Sequence, residues 1–393
     1  MSAQAPILSS PLLQRVQSTL EAAGGWLPFD AFMQMALYEP GLGYYARDTV
    51  KLGAMPQDGS DFVTAPEMSP WFGRTLARQV AQSLQATGTT EVWEFGAGTG
   101  ALAQQVLGAL ALPDGAASAG GPLLQKYHIV ELSADLRQRQ QQRLQAMAPA
   151  LAERVVWEDR LPERMAGVLL ANEVLDAMPV KLLVRKAGVW HERGVGWVGS
   201  SAEAAGQHVP AGLVWQDRPT ALRPPVDIPG NHDYLTEIHP HAEAFMRTLG
   251  DCWVQGAGFF IDYGFPESEY YHPQRSAGTL MCHRAHRADD QPLADVGHKD
   301  ITAHVNFTGV ALAAQEAGLD VLGYCSQGRF LINCGLLDHT EPLSLAERAQ
   351  LARLVNEHEM GELFKVLTVA PRTAGQADWV PLGHAVGDRT HTL

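Results

Sequence analysis

The chain has 393 residues, with 29 Lys and Arg against 43 Asp and Glu, which gives a formal net charge of -14. The hydrophobic fraction of 46% argues against wholesale disorder. The excess of acids argues against a protein that coats nucleic acid, because phosphate binding needs clustered Lys and Arg. No apolar run approaches the roughly 18 residues of a membrane span. This length is typical of two or three domain-sized units, or of one domain with large insertions.

Features that would indicate export, import or metal binding are lacking in the sequence. The four Cys form no C-x-x-C pair, which is typical of scattered reduced thiols. Arg15 is the only Lys or Arg before Arg47, whereas a mitochondrial transit peptide should be rich in Arg. His283, His286 and His298 are irregularly spaced, so we expect no metal site. These observations predict a cytoplasmic protein.

The first elements in chain order are helical. Apolar residues at spacings of three and four predict helices over 11–23 and 29–38. A loop rich in glycine follows, from Pro40 to Pro66, and a third helix is predicted over 69–87.

Strands and helices then alternate, which indicates a parallel sheet with helices on both faces. The predicted elements are the strand Glu91–Phe95, the helix 101–111, the strand Tyr127–Glu131, the helix 133–147, and the strands Val155–Trp157, Val168–Ala171 and Gly258–Gly264.

Between the fourth and fifth of these strands lie roughly 85 residues, far more than a crossover needs. They contain a predicted hairpin or meander from Leu182 to Val198 and turns rich in Pro and Gly around Pro210–Gly230. We interpret them as an inserted subdomain that serves substrate specificity. The C-terminal part predicts a helix over 306–317 and two strands, Val321–Cys325 and Arg329–Asn333.

The turn Gly96–Gly100 follows a buried strand and precedes a helix. Its glycines let the backbone turn sharply and let a ligand lie against it. The N-terminus of the following helix presents free N–H groups and positive potential. Glu131 ends the next strand, where an acidic side chain accepts hydrogen bonds from ribose hydroxyls. The pattern therefore predicts a cofactor that contains ribose.

Two cofactors fit this pattern. Gly96, Gly98 and Ala101 can be fitted to the G-x-G-x-x-G/A of dinucleotide folds, which would make the protein an NAD-dependent oxidoreductase. Glu131 lies 31 residues after Gly100, against about 20 in dinucleotide folds, but an insertion could account for the excess. The sequence E-F-G-A-G-T-G is close to the pattern used for S-adenosylmethionine, which we favour.

Seven segments carry a resemblance that extends from about residue 29 to about residue 370. They are F-M-Q-M-A-L-Y-E-P-G-L-G-Y-Y (Phe32–Tyr45), D-F-V-T-A-P-E-M-S-P-W-F-G (Asp61–Gly73), W-E-F-G-A-G-T-G (Trp93–Gly100), A-N-E-V-L-D-A-M-P-V (Ala171–Val180), I-D-Y-G (Ile261–Gly264), K-D-I-T-A-H-V-N-F (Lys299–Phe307) and G-E-L-F-K-V-L (Gly361–Leu367). On these segments the chain resembles the MidA-type methyltransferases, whose mitochondrial members act in respiratory complex I assembly as protein-arginine methyltransferases.

The resemblance implies a Rossmann-like α/β fold with the seven-stranded sheet of class I methyltransferases, an N-terminal helical cap and an inserted α+β subdomain. It implies S-adenosylmethionine as cofactor and an arginine of a protein as acceptor, with a subunit of the respiratory NADH:quinone oxidoreductase as a candidate. A homodimer is left open. The family's D-I-T-A-H-V motif more often continues with Asp where this chain has Asn306.

On this basis we expect four parts. Residues 1–88 would form the cap and lid loops, 89–180 and 256–335 the cofactor-binding core, 181–255 the inserted subdomain for substrate or partner, and 336–393 an extension that packs on the core.

Carboxylates suit methyl transfer to a guanidinium. The reaction is an in-line displacement in which the enzyme mainly holds the acceptor atom in place. The guanidinium stays charged in water, with a pKa above about 12, so carboxylates can orient it and take its proton. The segment after the fourth strand begins where ligands bind in open α/β sheets. We predict Glu173 and Asp176 as catalytic acids and Asn172 as a residue that holds the substrate or the methionine part of the cofactor.

The remaining candidates are assigned to the cofactor or to a lid. The predicted cofactor-binding residues are Glu94, Gly96, Ala97, Gly98, Thr99, Gly100, Glu131, Leu132, Asp159 and Asn172. The predicted substrate and lid residues are Tyr44, Tyr45, Pro66, Glu67, Asp262, Tyr263 and His304. Asp159 would bind the adenine amino group, and the tyrosine rings would suit a cation. The alternative function is an assembly factor that binds the cofactor without turnover.

Overall fold

The structure is a computed structural model. It describes residues 10–47, 63–112, 124–131, 133–147, 149–199, 203–204, 207–208, 212–338, 343–372 and 379–393. The helices are α1 (Pro11–Ala22), α2 (Phe29–Tyr38), α3 (Ala65–Met68), α4 (Pro70–Thr87), α5 (Ala101–Leu110), α6 (Ala134–Gln145), α7 (Pro149–Ala152), α8 (Pro240–Cys252), α9 (Glu267–Tyr270), α10 (Phe307–Glu316), α11 (Gln327–Asn333), α12 (Leu345–Val355) and α13 (Met360–Leu363). Within the described residues, no helix is long and apolar enough to cross a membrane.

The strands carry their own labels. They are β1 (Trp26–Pro28), β2 (Glu91–Phe95), β3 (Lys126–Val130), β4 (Val155–Glu158), β5 (Met165–Ala166), β6 (Val168–Asn172), β7 (Lys181–Lys186), β8 (Val189–Val198), β9 (Glu203–Ala204), β10 (Gln207–His208), β11 (Gly212–Pro219), β12 (Tyr234–Ile238), β13 (Trp253–Gln255), β14 (Gly258–Phe265), β15 (Met281–Arg284), β16 (Arg287–Asp289), β17 (Asp300–Thr302), β18 (Val305–Asn306), β19 (Leu319–Ser326) and β20 (Phe364–Pro371).

The described residues form two compact units. The first unit takes residues from Met1–Val50, Ala177–His241 and Glu267–His304. The second unit takes residues from 51–176, 242–266 and 305–393. The long insertion up to His241 thus shares the first unit with N-terminal residues, while its remaining residues, α4 and the glycine turn belong to the second.

The second unit is built on one large sheet. Its strands run in the order β4-β3-β2-β6-β14-β20-β19, and β18 pairs with β14. The strands from β4 to β14 are parallel, whereas β20 is antiparallel to both of its neighbours. This arrangement confirms the predicted fold class.

Both faces of this sheet are buried, as expected where helices cross over parallel strands. Alternate residues such as Val92 and Leu170 join one core with Leu76 of α4. On the other face, Phe245 of α8 lies 5.3 Å from Phe95, measured between ring centroids. Hydrophobic burial on both sides therefore holds the strand ends at one fixed edge.

The first unit contains a smaller antiparallel sheet in the order β1-β8-β7-β12, with β11 also paired to β8. A second sheet consists of β16, β15 and β17. Phe29 of α2 contacts Trp215 of β11, with ring centroids 5.5 Å apart. The predicted hairpin from Leu182 to Val198 is confirmed as β7 and β8.

Most predicted elements are confirmed, and the C-terminal part differs. The run Arg329–Asn333 was expected to be a strand and is part of helix α11. Five residues with an apolar centre do not distinguish a helix from a strand by periodicity. Residues 336–393, expected to pack on the core as an extension, contain β20, which lies inside the sheet. Its eight residues are all buried, and neighbouring strands flank it on both sides.

Candidate active site

The predicted site residues of the second unit gather at the carboxyl edge of its parallel strands. Register pairs join Phe95 to both Val130 and Ala171, and Asn172 to Ile261, so these strands end side by side. The residues that follow each strand end therefore meet at one edge, which is where ligands bind in open α/β sheets.

The glycine turn has the backbone that only glycine adopts readily. The φ angles of Gly96, Gly98 and Gly100 are 63°, 53° and 83°. A Cβ added to Gly96 would lie 2.8 Å from Cγ2 of Val174, a distance that real Cβ atoms do not show. The turn thus needs glycine both for its conformation and for its close approach to the segment after β6.

Glu131 directly follows β3 and is almost fully buried. Its Oε1 accepts a hydrogen bond from the Ser133 N–H at 2.8 Å, and its Oε2 accepts one from Gln140 Nε2 at 3.1 Å. Gln140 also donates to the Gly98 carbonyl at 2.9 Å. A carboxylate at the end of this strand is the group that accepts ribose hydroxyls in α/β cofactor sites.

Gln140 is a site residue that the sequence reasoning missed. It lies on α6 between Leu136 and Leu144, at a spacing of four, and all three are buried. A polar residue in the apolar stripe of a helix is the pattern that could have identified it, because buried amides need partners.

Glu94 of β2 is buried, and its Oε2 accepts a hydrogen bond from the Tyr127 hydroxyl at 2.6 Å. Burial raises the pKa of Glu94 to about 7, with a smaller contribution from Glu131, while the hydrogen bond from Tyr127 opposes the rise. The carboxyl of Glu94 can therefore gain or lose a proton near neutral pH.

Asn172 and Glu173 occupy the end of β6. Glu173 has a φ of 54°, a left-handed backbone that is uncommon for a residue with a side chain and typical of functional sites. Its N–H donates to the Ile261 carbonyl at 2.9 Å. Asn172 Nδ2 donates to Glu173 Oε1 at 3.2 Å, and the buried Asn172 Oδ1 has no hydrogen-bond partner among the described residues. This oxygen is ready to accept a hydrogen bond from a ligand.

Asp262 of β14 anchors the segment after β6. Its Oδ2 accepts the backbone N–H groups of Val174, Leu175 and Asp176 at 3.2, 2.9 and 3.2 Å. Burial and the carboxylates of Asp176 and Glu173 raise the pKa of Asp262 well above its usual value, against the backbone hydrogen bonds that lower it. These contacts make Asp262 the support of the segment that carries Glu173, and its predicted role at the substrate stays a prediction.

Asp176 and Tyr263 form a pair beside this anchor. The Tyr263 hydroxyl donates to Asp176 Oδ2 at 2.5 Å, and the Tyr263 ring packs edge-on against Phe364. Asp176 is buried. The predicted catalytic acids and their neighbours are thus brought together in the second unit.

Pro66 and Glu67 lie in α3, next to the glycine turn. Gln105 Nε2 of α5 donates to the Pro66 carbonyl at 2.7 Å. Glu67 accepts a hydrogen bond from the Thr99 hydroxyl and pairs with Arg143 at 2.8 Å. These contacts support the turn, and the predicted role of both residues at the substrate or in a lid stays a prediction.

Tyr44, Tyr45 and His304 belong to the first unit. Tyr44 is buried, and the Tyr45 hydroxyl donates to Asp300 Oδ1 at 2.9 Å. The His304 carbonyl accepts a hydrogen bond from His239 Nε2 at 2.9 Å.

Four further positions have plain placements. Asp159 is exposed directly after β4, and Ala97 is buried within the glycine turn. Leu132 lies outside the described residues. Asn306 Oδ1 caps α10 by accepting the Gly309 N–H at 3.3 Å. Asn and Asp serve equally well as N-caps, which explains why either residue suits this position.

These residues fit S-adenosylmethionine. Three glycines with positive φ leave room against the backbone, an acid ends the second strand, and Asn172 offers a buried oxygen with no hydrogen-bond partner in the described part of the chain. Carboxylates at the same edge complement the positive sulfonium and amino groups of the cofactor.

Comparison with known families agrees with this geometry. Residues 75–325 match the model of a family described as "Putative S-adenosyl-L-methionine-dependent methyltransferase". The chain belongs to this family. It is a methyltransferase that uses S-adenosylmethionine, which confirms the predicted cofactor over a nicotinamide.

Similar proteins extend the comparison over nearly the whole chain. A crystal structure of a "likely methyl transferase" from Burkholderia thailandensis bound to S-adenosyl-homocysteine is 45% identical, with a TM-score of 0.87, and the match covers 99% of this chain and 100% of the other. The mitochondrial protein arginine methyltransferase NDUFAF7 of Danio rerio is 26% identical over 92% of this chain and 87% of its own length. The Homo sapiens protein of the same name is 26% identical, over 92% and 84%.

Proposed function

We propose that this methyltransferase transfers methyl groups to a guanidinium nitrogen of arginine in a protein substrate. The observation that carries the proposal is the cluster of Glu173, Asp176 and Asp262 at the edge of the sheet. Burial, and after it repulsion from Asp176 and Glu173, raises the pKa of Asp262 in this cluster. A cationic acceptor would relieve that repulsion, and a guanidinium matches carboxylates in shape as well as in charge.

The named relatives support the same acceptor. NDUFAF7 proteins of several animals carry the description of protein arginine methyltransferase. Their identity to this chain is 26% and spreads over most of its length.

In this proposal each residue of the site has a separate role in the reaction. Bound S-adenosylmethionine supplies the methyl group, and Glu131 and Asn172 would hold the cofactor. The acceptor nitrogen would form a bond to the methyl carbon as the bond from that carbon to sulfur breaks, which leaves S-adenosylhomocysteine. The nitrogen gives up one proton, which Glu173 would take. Asp262 keeps the backbone that carries Glu173 in place, through the three N–H groups after it. Asp176, held by Tyr263, would orient the guanidinium.

The test uses the full chain, S-adenosylmethionine labelled on its methyl group, and protein extract from a strain that lacks this gene. We expect label on methylarginine after acid hydrolysis, and none with Glu173→Gln. Arginine methylation found by mass spectrometry in the parent strain and missing in the deletion strain would identify the acceptor. Label on another amino acid, or binding of S-adenosylhomocysteine with no label transfer to any protein, would contradict the proposal.

A subunit of a respiratory NADH:quinone oxidoreductase is the acceptor to test first, following the family resemblance of the sequence. We propose a cytoplasmic location, which fractionation of cells would check. Light scattering of the purified chain would distinguish a monomer from a homodimer.

A further inference from the structure

Thr99 of the glycine turn is held between two other segments. Glu67 Oε1 accepts hydrogen bonds from the Thr99 hydroxyl and from Arg143 Nη1, the latter at 2.8 Å. Arg143 Nη1 also contacts Thr99 Oγ1 directly. Three side chains from α3, the turn and α6 therefore contact one another pairwise. We call these three residues the clamp.

Further hydrogen bonds tie the clamp to α5, the helix that follows the turn. Arg143 Nε donates to Gln104 Oε1 at 2.9 Å. The next residue, Gln105, donates to the Pro66 carbonyl at 2.7 Å and accepts the Gly73 N–H at 2.9 Å. The first turns of α5 are thus fixed to α3, α4 and α6 together.

The ion pair of the clamp is shielded from water more than an ordinary surface pair. The side chain of Glu67 is 14% exposed and that of Arg143 is 32% exposed. A second contact, from Arg143 Nη2 to Glu67 Oε2 at 3.4 Å, makes the pair two-pronged. Shielding and two-point geometry give such a pair a defined orientation that exposed pairs lack.

The turn has a reason to need this support. Glycine loses more conformational freedom on ordering than any other residue, and three of the five residues from Gly96 to Gly100 are glycine. Thr99 is the residue through which the clamp holds the turn. If the turn is already ordered before the cofactor arrives, binding does not have to supply the ordering free energy.

We propose that Glu67 and Arg143 are positioning residues that hold Thr99, and with it the glycine turn, in the conformation that binds S-adenosylmethionine. Neither residue has to touch the cofactor for this role. The proposal depends on the cofactor of the family and is independent of the acceptor, so its test leaves the arginine proposal untouched.

The experiment measures S-adenosylhomocysteine affinity by titration calorimetry and unfolding temperature without ligand, for Glu67→Gln, Arg143→Met and the double variant. We expect each single variant to weaken binding about tenfold, and the double variant to bind no more weakly than either single one, because all three break the same clamp. The control is the exposed ion pair of Asp320 and Arg372, 2.8 Å long and in the same unit. Asp320→Asn and Arg372→Met should bind with wild-type affinity.

Two variants of Thr99 keep the test independent of any folding defect in the Arg143 variant. Thr99→Ser keeps the hydroxyl and should bind like the wild type. Thr99→Val removes it at nearly constant volume and should weaken binding as Glu67→Gln does. Variants of the clamp that unfold at a lower temperature yet bind S-adenosylhomocysteine with wild-type affinity would overturn the proposal. A double variant whose loss equals the product of the single losses would also overturn it.

Discussion

A buried carboxylate anchors a loop in each of the two units, and the two anchors differ in their surroundings. Glu237 of the first unit accepts the N–H groups of Thr279 and Leu280 at 2.8 and 3.1 Å. Asp262 of the second unit accepts the three N–H groups of residues 174–176. Both side chains are almost completely buried.

The remaining neighbours separate the two anchors. Hydroxyls of Tyr270 and Thr279 donate to Glu237 at 2.9 and 3.2 Å, so its charge is solvated by the protein. Asp262 instead is buried beside the carboxylates of Asp176 and Glu173, and its burial together with these two charges raises its pKa. A buried carboxylate that accepts backbone N–H groups thus stabilises a loop in the first unit, and in the second unit it also supports an acidic site. Acids crowded together at a strand edge indicate a site for a cation, since structure alone gains nothing from their repulsion.

The largest expected effect on activity comes from a substitution in the acidic site itself. Glu173→Gln keeps the size of the side chain and removes its ability to take a proton, so we expect kcat to fall by about 10²- to 10⁴-fold. S-adenosylhomocysteine affinity should stay unchanged in calorimetry. Glu237→Gln is the matched control in the other unit, and its kcat per folded molecule should equal that of the wild type. Wild-type turnover in Glu173→Gln would remove this residue from the chemistry.

A second prediction concerns the pH dependence of stability. The pKa of Glu94 is raised from 4.5 to about 7, so the folded state binds its proton more tightly than the unfolded state does. The resulting stabilisation is complete below about pH 4.5 and is lost as pH rises through 7, a loss of about 3 kcal/mol in the free energy of unfolding.

In Glu94→Gln this part of the decline should disappear, as measured by denaturant unfolding at a series of pH values. Glu153→Gln, at an exposed position, is the control and should keep the wild-type slope. An unchanged slope in Glu94→Gln would show that its carboxyl does not titrate in this range.

Substitution of Glu237, the anchor of the first unit, should change the stability of the protein and leave cofactor binding unchanged. Glu237→Gln turns one accepting oxygen into a donor, which leaves a buried N–H or hydroxyl without its acceptor. We expect the free energy of unfolding to fall by about 1–3 kcal/mol in urea titrations. S-adenosylhomocysteine affinity should not change, and a weakened affinity would argue against a purely structural tie.

The smallest expected effect is that of a glycine substitution in the second unit, which changes the backbone geometry of the site and leaves its charge unchanged. Gly96→Ala places a Cβ 2.8 Å from Val174 at a φ of 63° and should weaken S-adenosylhomocysteine binding by about tenfold. Gly88→Ala is the control, because Gly88 has a similar φ of 65° and no atom within 4 Å of its added Cβ. Equal affinity in both variants would show that the approach of Val174 does not matter for the cofactor.

The sequence predicted the parts of this molecule that depend on local pattern. The parallel strands, the glycine turn and Glu131 follow from periodicity and from residue types with one dominant use. The clamp joins Glu67 to Arg143, 76 residues apart, and the anchor joins Asp262 to a segment 86 to 88 residues before it. Such contacts depend on which helices and strands are neighbours in the fold, and local sequence patterns do not show this.

Strand β20 determines when the large sheet can be completed. It lies between β14 and β19, although both of these precede it in the chain. Residues 258–263 of β14 pair with residues 364–369. One edge of β14 therefore has no partner strand until about a hundred further residues have been synthesised. Most of the chain therefore has to emerge from the ribosome before β20 can pair with the exposed edge of β14. Until then, the growing polypeptide carries a hydrophobic strand with one unpaired edge, a situation in which chains associate wrongly or bind a chaperone.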